Sequence, residues 1–347
     1  MNITKGKIIT LFATAAAAAL LAGACAKESS EALNADNELY FNAWMSVNHP
    51  EATKSGLGVY IIDDQPGDGE EIADDDYYLF LKYTVRDLDG TIGNTSDDDV
   101  AKQLGSYSES TYYGAKVVLK TPLATQVGIL EVLDGMKVGG TRTAVIPGWL
   151  NVTLDGTENY TTEADYLENE SGDNAIYTIT LVDKVKDIYD WEIDTLERYT
   201  ARHMADVDSS FYGYYYYQVK EPTDTTTFPT DTSFYINYTG RLLNGKVFDT
   251  TVEDTAKFYG IYSSSKTYSP IYVQMNEDYT EITIGGSSSS DGSTTVSGFS
   301  YCLSKMKAYE KGICAFYSGL GYGYSGSGSS IPAYSPISFE IEIVDSE

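Results

Sequence analysis

Apolar and polar positions along the chain fall into two halves that follow the same order. The halves open with GVYIIDDQPGDGEEIADDDYYLFLKYTVRDLDG, from Gly58, and GYYYYQVKEPTDTTTFPTDTSFYINYTGRLLNG, from Gly213. Each reads as a strand, a long polar loop, a second strand and a tight turn, because alternation with a period of two puts one face of a segment into a core. Setting Gly58 against Gly213 gives an offset of 155 residues, which also carries Tyr83 onto Tyr238, Thr84 onto Thr239 and Gly90 onto Gly245 without a gap. The dipeptides Asp89-Gly90 and Asn244-Gly245 suit the positive φ of a hairpin turn. Apolar residues three and four apart predict helices over 39–47 and over 188–204, the latter carrying Trp191, Leu196 and Tyr199. Shorter helical stretches, 128–136 and 298–306, run into the lysine-bearing turns MKVGG and MKAYEKG, and each half closes on a strand, 175–182 and 337–344. Strands, one short helix and a closing strand make an α+β domain, an antiparallel sheet wrapped around a short helix. The fold class expected is two such domains joined by the helix at 188–204, an interdomain helix packed on one or both.

Before the repeats, Lys5 and Lys7 precede an apolar, alanine-rich run over 8–22 that is short for a bilayer span and ends in small residues before Cys25. That is a secretory signal. Its ending, A-G-A-C, resembles the lipobox of bacterial lipoproteins, with Ala22 where Leu is usual and Leu21 one step further away. The resemblance implies cleavage after residue 24, lipidation of Cys25 and anchoring by acyl chains without a transmembrane helix. The small polar stretch 26–37 reads as a tether, and Lys27-Glu28 faintly resembles a surface-export signal. The expected location is the cell envelope, at the outer membrane, on its periplasmic face or on the cell surface.

Composition narrows the chemistry. The 347 residues are enough for two domains of ordinary size. The formal charge is −28, and −30 once Lys5 and Lys7 are removed, so a nucleic-acid partner is excluded by repulsion of phosphate. Two histidines in the whole chain leave little room for zinc enzymes or many hydrolases, while 31 tyrosines mark an aromatic protein. Asp74-Asp75-Asp76 and Asp97-Asp98-Asp99 lack the spacing of a calcium loop and read as exposed acidic turns. His49 and His203 have no partners at ligand spacing. Cys302 and Cys314 fall on the predicted helix and the strand beneath it, either as a disulfide or as two buried thiols.

The second half contains, in order, NYTGRLLNGKVFDTT from Asn237, TVSGFSYCLSKMKAYEKG from Thr295, GLGYG from Gly319 and IPAYSPISFEIEIV from Ile331. These blocks resemble those of the FKBP-type peptidyl-prolyl cis-trans isomerases over about 233–345, here in a tandem-domain bacterial lipoprotein of the Bacteroidetes kind. Carried over position by position, the resemblance implies a proline pocket of Tyr238, Phe248, Asp249, Val296, Phe299, Tyr322, Ile331 and Phe339. Phe299 would be the floor, where the family usually has Trp, and Tyr238, Phe248 and Phe339 the walls. The Tyr322 hydroxyl and the Ile331 backbone N–H would hold peptide carbonyls, Val296 would bind substrate, and Asp249 would face the twisting amide. For most of these positions plain core packing is the competing explanation, and it is weakest for Asp249. A polar insertion over 253–292, including the serine run 287–290, separates Asp249 from the helix. No cofactor or metal is implied, and the expected partners are unfolded or extended proline-containing polypeptides together with the bilayer reached through Cys25.

In the first half Phe248 becomes Gly93, Asp249 becomes Asn94, Val296 becomes Gln126 and Phe299 becomes Ile129, while Tyr83 and Tyr177 remain. That half reads as a degenerate copy which binds client chains or orients its neighbour. The expected organisation is a signal over 1–24, a tether over 25–37, the degenerate domain with its preceding helix over 38–187, a linker helix and first strand over 188–232, and the isomerase domain over 233–347. The competing function is a non-catalytic surface or periplasmic binding lipoprotein in which tyrosine-rich stretches, 214–217 and 317–330, take up peptides or glycans.

Overall fold

A computed structural model describes residues 28–345 except 169–171, 205–206, 208, 223–232, 276–281, 285–292 and 295. The lipobox with Cys25 and the serine run 287–290 lie outside the described residues. Among the described residues no helix is long and apolar enough to cross a membrane. The chain forms two compact units, and neither is contiguous in sequence: the first runs to Asp76 and resumes over Leu81–Thr95 and Val118–Lys184, while the second takes Tyr77–Phe80, Ser96–Val117 and everything from Val185.

The first unit opens with α1 (Glu28–Asn48), whose Phe41 and Met45 are buried, Phe41 meeting Trp149 edge-on at 5.4 Å. Most of the stretch read as a tether is thus helical, in keeping with the strong helix formers Glu31, Ala32 and Leu33. Strands β1 (Thr53–Lys54), β2 (Tyr60–Gln65), β3 (Tyr78–Asp87) and β4 (Ile92–Thr95) follow. The chain then leaves for helix α2 (Asp98–Leu104) and returns through β5 (Lys116–Leu119), α3 (Val127–Leu133), β6 (Thr141–Ile146), the short α4 (Glu163–Leu167) and β7 (Ala175–Val185). The sheet order is β1-β2-β6-β7-β3-β4, with β5 also on β3, and β1–β2, β2–β6, β6–β7 and β3–β4 pair antiparallel.

The second unit continues with α5 (Ile188–His203), β8 (Ser209–Phe211), β9 (Tyr214–Lys220), β10 (Ser233–Leu242), β11 (Val247–Thr250), α6 (Glu253–Phe258) and β12 (Ile271–Met275). It closes with β13 (Ile282–Ile284), β14 (Ser293–Thr294), α7 (Ser297–Lys305), β15 (Lys311–Phe316) and β16 (Ile337–Val344). Its sheet runs β14-β13-β12-β10-β16-β15-β9-β8, with β11 also on β10. From β9 through β15, β16 and β10 to β11 and β12, this is the order of β2, β6, β7, β3, β4 and β5 in the first unit. Helix α5, expected between domains, packs inside the second unit: Ile193, Leu196 and Met204 bury against Tyr215 and Ala315.

The repeat holds to the level of single bonds. Thr84 faces Thr95 and Thr239 faces Thr250, with both hydroxyl pairs at 2.9 Å. A bulge falls between Val85 and Arg86 in one sheet and between Gly240 and Arg241 in the other, and the turn glycines Gly90 and Gly245 have φ of 91° and 90°. The same offset persists further than the apolar pattern suggested. Tyr107 stacks on Tyr113 at 5.2 Å and Tyr262 on Tyr268 at 5.3 Å, with Lys102 and Lys257 over the rings of Tyr107 and Tyr262 at 4.9 and 5.2 Å. The stretch read as an insertion over 253–292 is therefore, through β12, the second copy of the α2–β5 region. After β12 the second half runs longer, so that from Gly128 and Gly298 through β6 and β15 the offset is 170 residues, before it shortens again ahead of the closing strands.

Two acidic clusters have structural duties. Asp76 is buried rather than exposed, accepting from the Ala73 N–H at 2.7 Å and from the Lys184 ammonium at 2.6 Å. Asp97 caps α2 by accepting from Val100 N–H, and Asp98 pairs with Lys102 at 2.7 Å. Cys302 and Cys314 are buried free thiols, His49 lies beside the Trp44 ring and His203 against Tyr199.

Candidate active site

Strand β10 supplies the back of the site and its bulge decides the shape. A Cβ on Gly240 would lie 2.8 Å from Phe339 Cε1 and closer still to the Phe248 ring, so glycine is what lets Phe248 lie across the sheet. Phe339, on β16, is the hub: Phe299 packs edge-on at 4.9 Å, Phe248 at 5.5 Å and Tyr238 at 6.0 Å. Phe248 also meets Tyr322 edge-on at 6.4 Å, and Tyr238 meets Phe299 at 5.7 Å. Phe299 is delivered by the first turn of α7, which Val296 precedes as its cap, and that helix comes close to β15 because Gly298 rests on Phe316 with no room for a Cβ. Phe299, Ile331 and Phe339 are buried, and Tyr238, Phe248, Val296 and Tyr322 pack half-buried against the same core. The structure thus brings all eight residues to one region: seven share this core, and Asp249 joins it through Tyr238.

The polar chemistry centres on Asp249. Tyr238 donates its hydroxyl to Asp249 Oδ2 at 2.6 Å, the Thr250 N–H donates to Oδ1 at 2.9 Å, and the Lys266 ammonium pairs with the same Oδ1. Burial, then the Asp249 charge, push the Tyr238 hydroxyl pKa up; the same two causes raise that of Tyr322. Asp249 therefore has the structural duty that sequence reasoning did not find for it. It fixes the Tyr238 ring and balances Lys266, a residue in the stretch dismissed as insertion. A second expectation is also corrected. The Ile331 N–H, expected to hold a peptide carbonyl, donates to the Ser327 carbonyl at 3.1 Å, and Ser327 N–H returns the bond at 2.8 Å. At the floor the N–H groups of Phe299 and Ser300, in the first turn of α7, donate to the Val296 carbonyl at 3.0 and 3.3 Å.

The corresponding place in the first unit is open. A cavity of about 240 Å³ is lined by Tyr83, Val85, Asn94, Gln126, Ile129 and Tyr177, among others. The exchange that made it is a pair. Where the second sheet has Gly240 under Phe248, the first has Val85 beside Gly93, so a bulky residue has moved from one strand to the other and the aromatic wall is gone. Tyr177 is held by Asn151, donating to its Oδ1 at 2.9 Å.

Tyr238, Phe248 and Phe299 thus gather on Phe339 as an aromatic cluster over a buried floor. Residues 225–344 match the FKBP-type peptidyl-prolyl cis-trans isomerase family, and the chain carries a domain of that family. Among solved structures, the three FKBP domains of wheat FKBP73 are similar at 14% identity and a TM-score of 0.29, covering 83% of this chain and 94% of that one. A peptidyl-prolyl cis-trans isomerase from Pseudomonas syringae is similar at 19% identity and a TM-score of 0.30, over 45% of this chain and 92% of that one. FkpA from Escherichia coli is similar at 22% identity and 0.32, over 46% of this chain and 61% of that one. No curated protein is a significant match.

Proposed function

We propose that the second domain isomerises X-Pro bonds in exported polypeptides, on a protein anchored through acylated Cys25 in the cell envelope. The observation that carries this reading is the convergence of Tyr238, Phe248 and Phe299 on Phe339, with the Tyr238 hydroxyl tied to Asp249. The reaction asks little of a protein. The barrier of about 18–20 kcal/mol comes from C–N double-bond character, and no nucleophile or proton transfer is obligatory. A pocket that holds the ring and excludes water favours the twisted amide, whose charge separation is smaller than that of the planar one. With the Ile331 amide committed to Ser327, the donor for a substrate carbonyl is the Tyr322 hydroxyl. The open cavity of the first unit supports a second role for that domain, holding client segments without isomerising them.

The test is a prolyl-isomerase assay of the mature chain on a short X-Pro peptide, with fractionation of the same preparations. Phe248→Ala and Tyr322→Phe are expected to lower kcat/KM by about tenfold to a thousandfold, or about 1.4–4 kcal/mol, without a burst phase. A folded wild-type chain that is inactive on every X-Pro peptide would leave binding as the function. A Cys25→Ser chain that still partitions with membranes would remove the anchor.

A further inference from the structure

The second unit contains a loop that is spelled out in the first repeat. Between β4 and β5 the chain leaves one sheet, and Ser96–Val117 is part of the other compact unit. The far end of that segment reaches both rims of the aromatic pocket. On one rim the Tyr112 N–H donates to the Ser329 carbonyl at 2.8 Å and the Thr111 hydroxyl to Ser329 Oγ at 3.4 Å, two residues before Ile331. On the other, the Lys246 ammonium donates to the Glu109 carbonyl, two residues before Phe248. Burial lowers the Lys246 pKa, as expected of an ammonium partly withdrawn from water. Gly260, at φ 68°, lets the Glu109 side chain approach so closely that a Cβ there would sit 2.7 Å from Glu109 Cγ.

The Tyr112 ring packs against the core cluster that includes Ile331 and Phe339, as do Phe248 and Tyr322. Its hydroxyl turns back onto the Ala115 carbonyl at 3.2 Å, so the aromatic body rather than the polar tip meets the cluster. The loop is self-supporting. Tyr107 stacks on Tyr113, Lys102 covers Tyr107, and the Ser108 N–H donates to the Tyr113 hydroxyl at 3.3 Å. The second repeat builds the same loop and has Thr267 where Tyr112 stands. The first loop thus presents an aromatic ring to the cluster at a position where the second has a small polar side chain.

We propose that Tyr112 is a specificity-determining residue of the proline pocket, supplied by the first repeat. The loop ties the rim that carries Phe248 to the rim that carries Ile331, and the Tyr112 ring narrows the mouth between them, so that bulky residues beside the proline are disfavoured relative to small ones. The inference rests on the isomerase reading above.

The experiment compares kcat/KM on two otherwise identical peptides, Ala-Pro and Trp-Pro, using the full mature chain. Wild type is expected to prefer Ala-Pro, and Tyr112→Ala to raise the Trp-Pro to Ala-Pro ratio by about tenfold, the scale at which pocket size discriminates. Tyr112→Phe, which keeps the ring, is expected to retain the wild-type ratio, and Lys246→Met, which frees one rim, to move the ratio in the same direction as Tyr112→Ala. Thermal melting checks folding, and should Tyr112→Ala not fold, Tyr112→Leu and Lys246→Met carry the test. An unchanged ratio, or both peptides accelerating by one common factor, overturns the proposal. An inactive wild type removes the isomerase reading and this inference with it, whereas an active wild type with an unmoved ratio removes this inference alone.

Discussion

At position 240 the second sheet has room for a hydrogen atom and little else. The Phe248 and Phe339 rings fill the space where a side chain would start, while the first sheet has Val85 at the same bulge, paired with Asn94, and Gly93 in the place of Phe248. Whether a copy has an aromatic wall or an open cavity is decided by which strand carries the bulk. Gly240→Val, which installs the residue of the first copy, is expected to displace Phe248, to destabilise by about 1–3 kcal/mol as overpacked cores do, and to lower kcat/KM well beyond that loss of folded protein. Melting curves beside kinetics on the folded fraction separate the two effects. Wild-type kinetics in folded Gly240→Val would refute the role given to the wall.

Among the elements, α5 carries the least ordinary group. Glu192 is fully buried on it, accepting from the Ser318 N–H at 2.5 Å and from the Ser318 hydroxyl at 2.7 Å, and burial raises its pKa to about 7 despite those two bonds. An acid whose folded pKa lies above its unfolded value binds a proton on folding. Its contribution to stability is therefore full below about pH 4.5 and is lost as pH rises through about 7. At 1.36 kcal/mol per pKa unit the swing is on the order of 3 kcal/mol. Glu192→Gln is expected to lose this slope, so that its melting temperature relative to wild type rises between pH 5 and pH 8; a constant difference would contradict the assignment. Glu192 was silent in the sequence, because a charged residue on an amphipathic helix reads as solvated until the packing is known. The strands, the hairpin glycines and α7 were legible, since alternation and the 155-residue offset record burial directly. The α6–β12 region was not, because what the two copies share there is tyrosine stacking and serine hydrogen bonding, which leave no apolar period. For the same reason Lys266, the partner of Asp249, and Tyr112, more than two hundred residues from the Ser329 it bonds, could not be read from spacing.

On the scale of the whole molecule, the second unit cannot be cut out at a single point. Tyr77–Phe80 and Ser96–Val117 belong to it as much as α5 does, and Trp191 of α5 lies 4.6 Å from Phe80. A fragment beginning at Val185 is therefore expected to be less stable than the same residues in the full chain, with faster amide hydrogen exchange around Ser327 and Ile331. Equal exchange rates would mean that the early segments add nothing to the unit. The divided unit also sets a timetable. At about 5–20 residues per second, Ser329 is made roughly 10–40 s after Tyr112. Docking of the loop on that rim therefore waits for nearly the whole of the second half, whereas its Tyr107–Tyr113 stack and the Lys102 above it draw on residues made together.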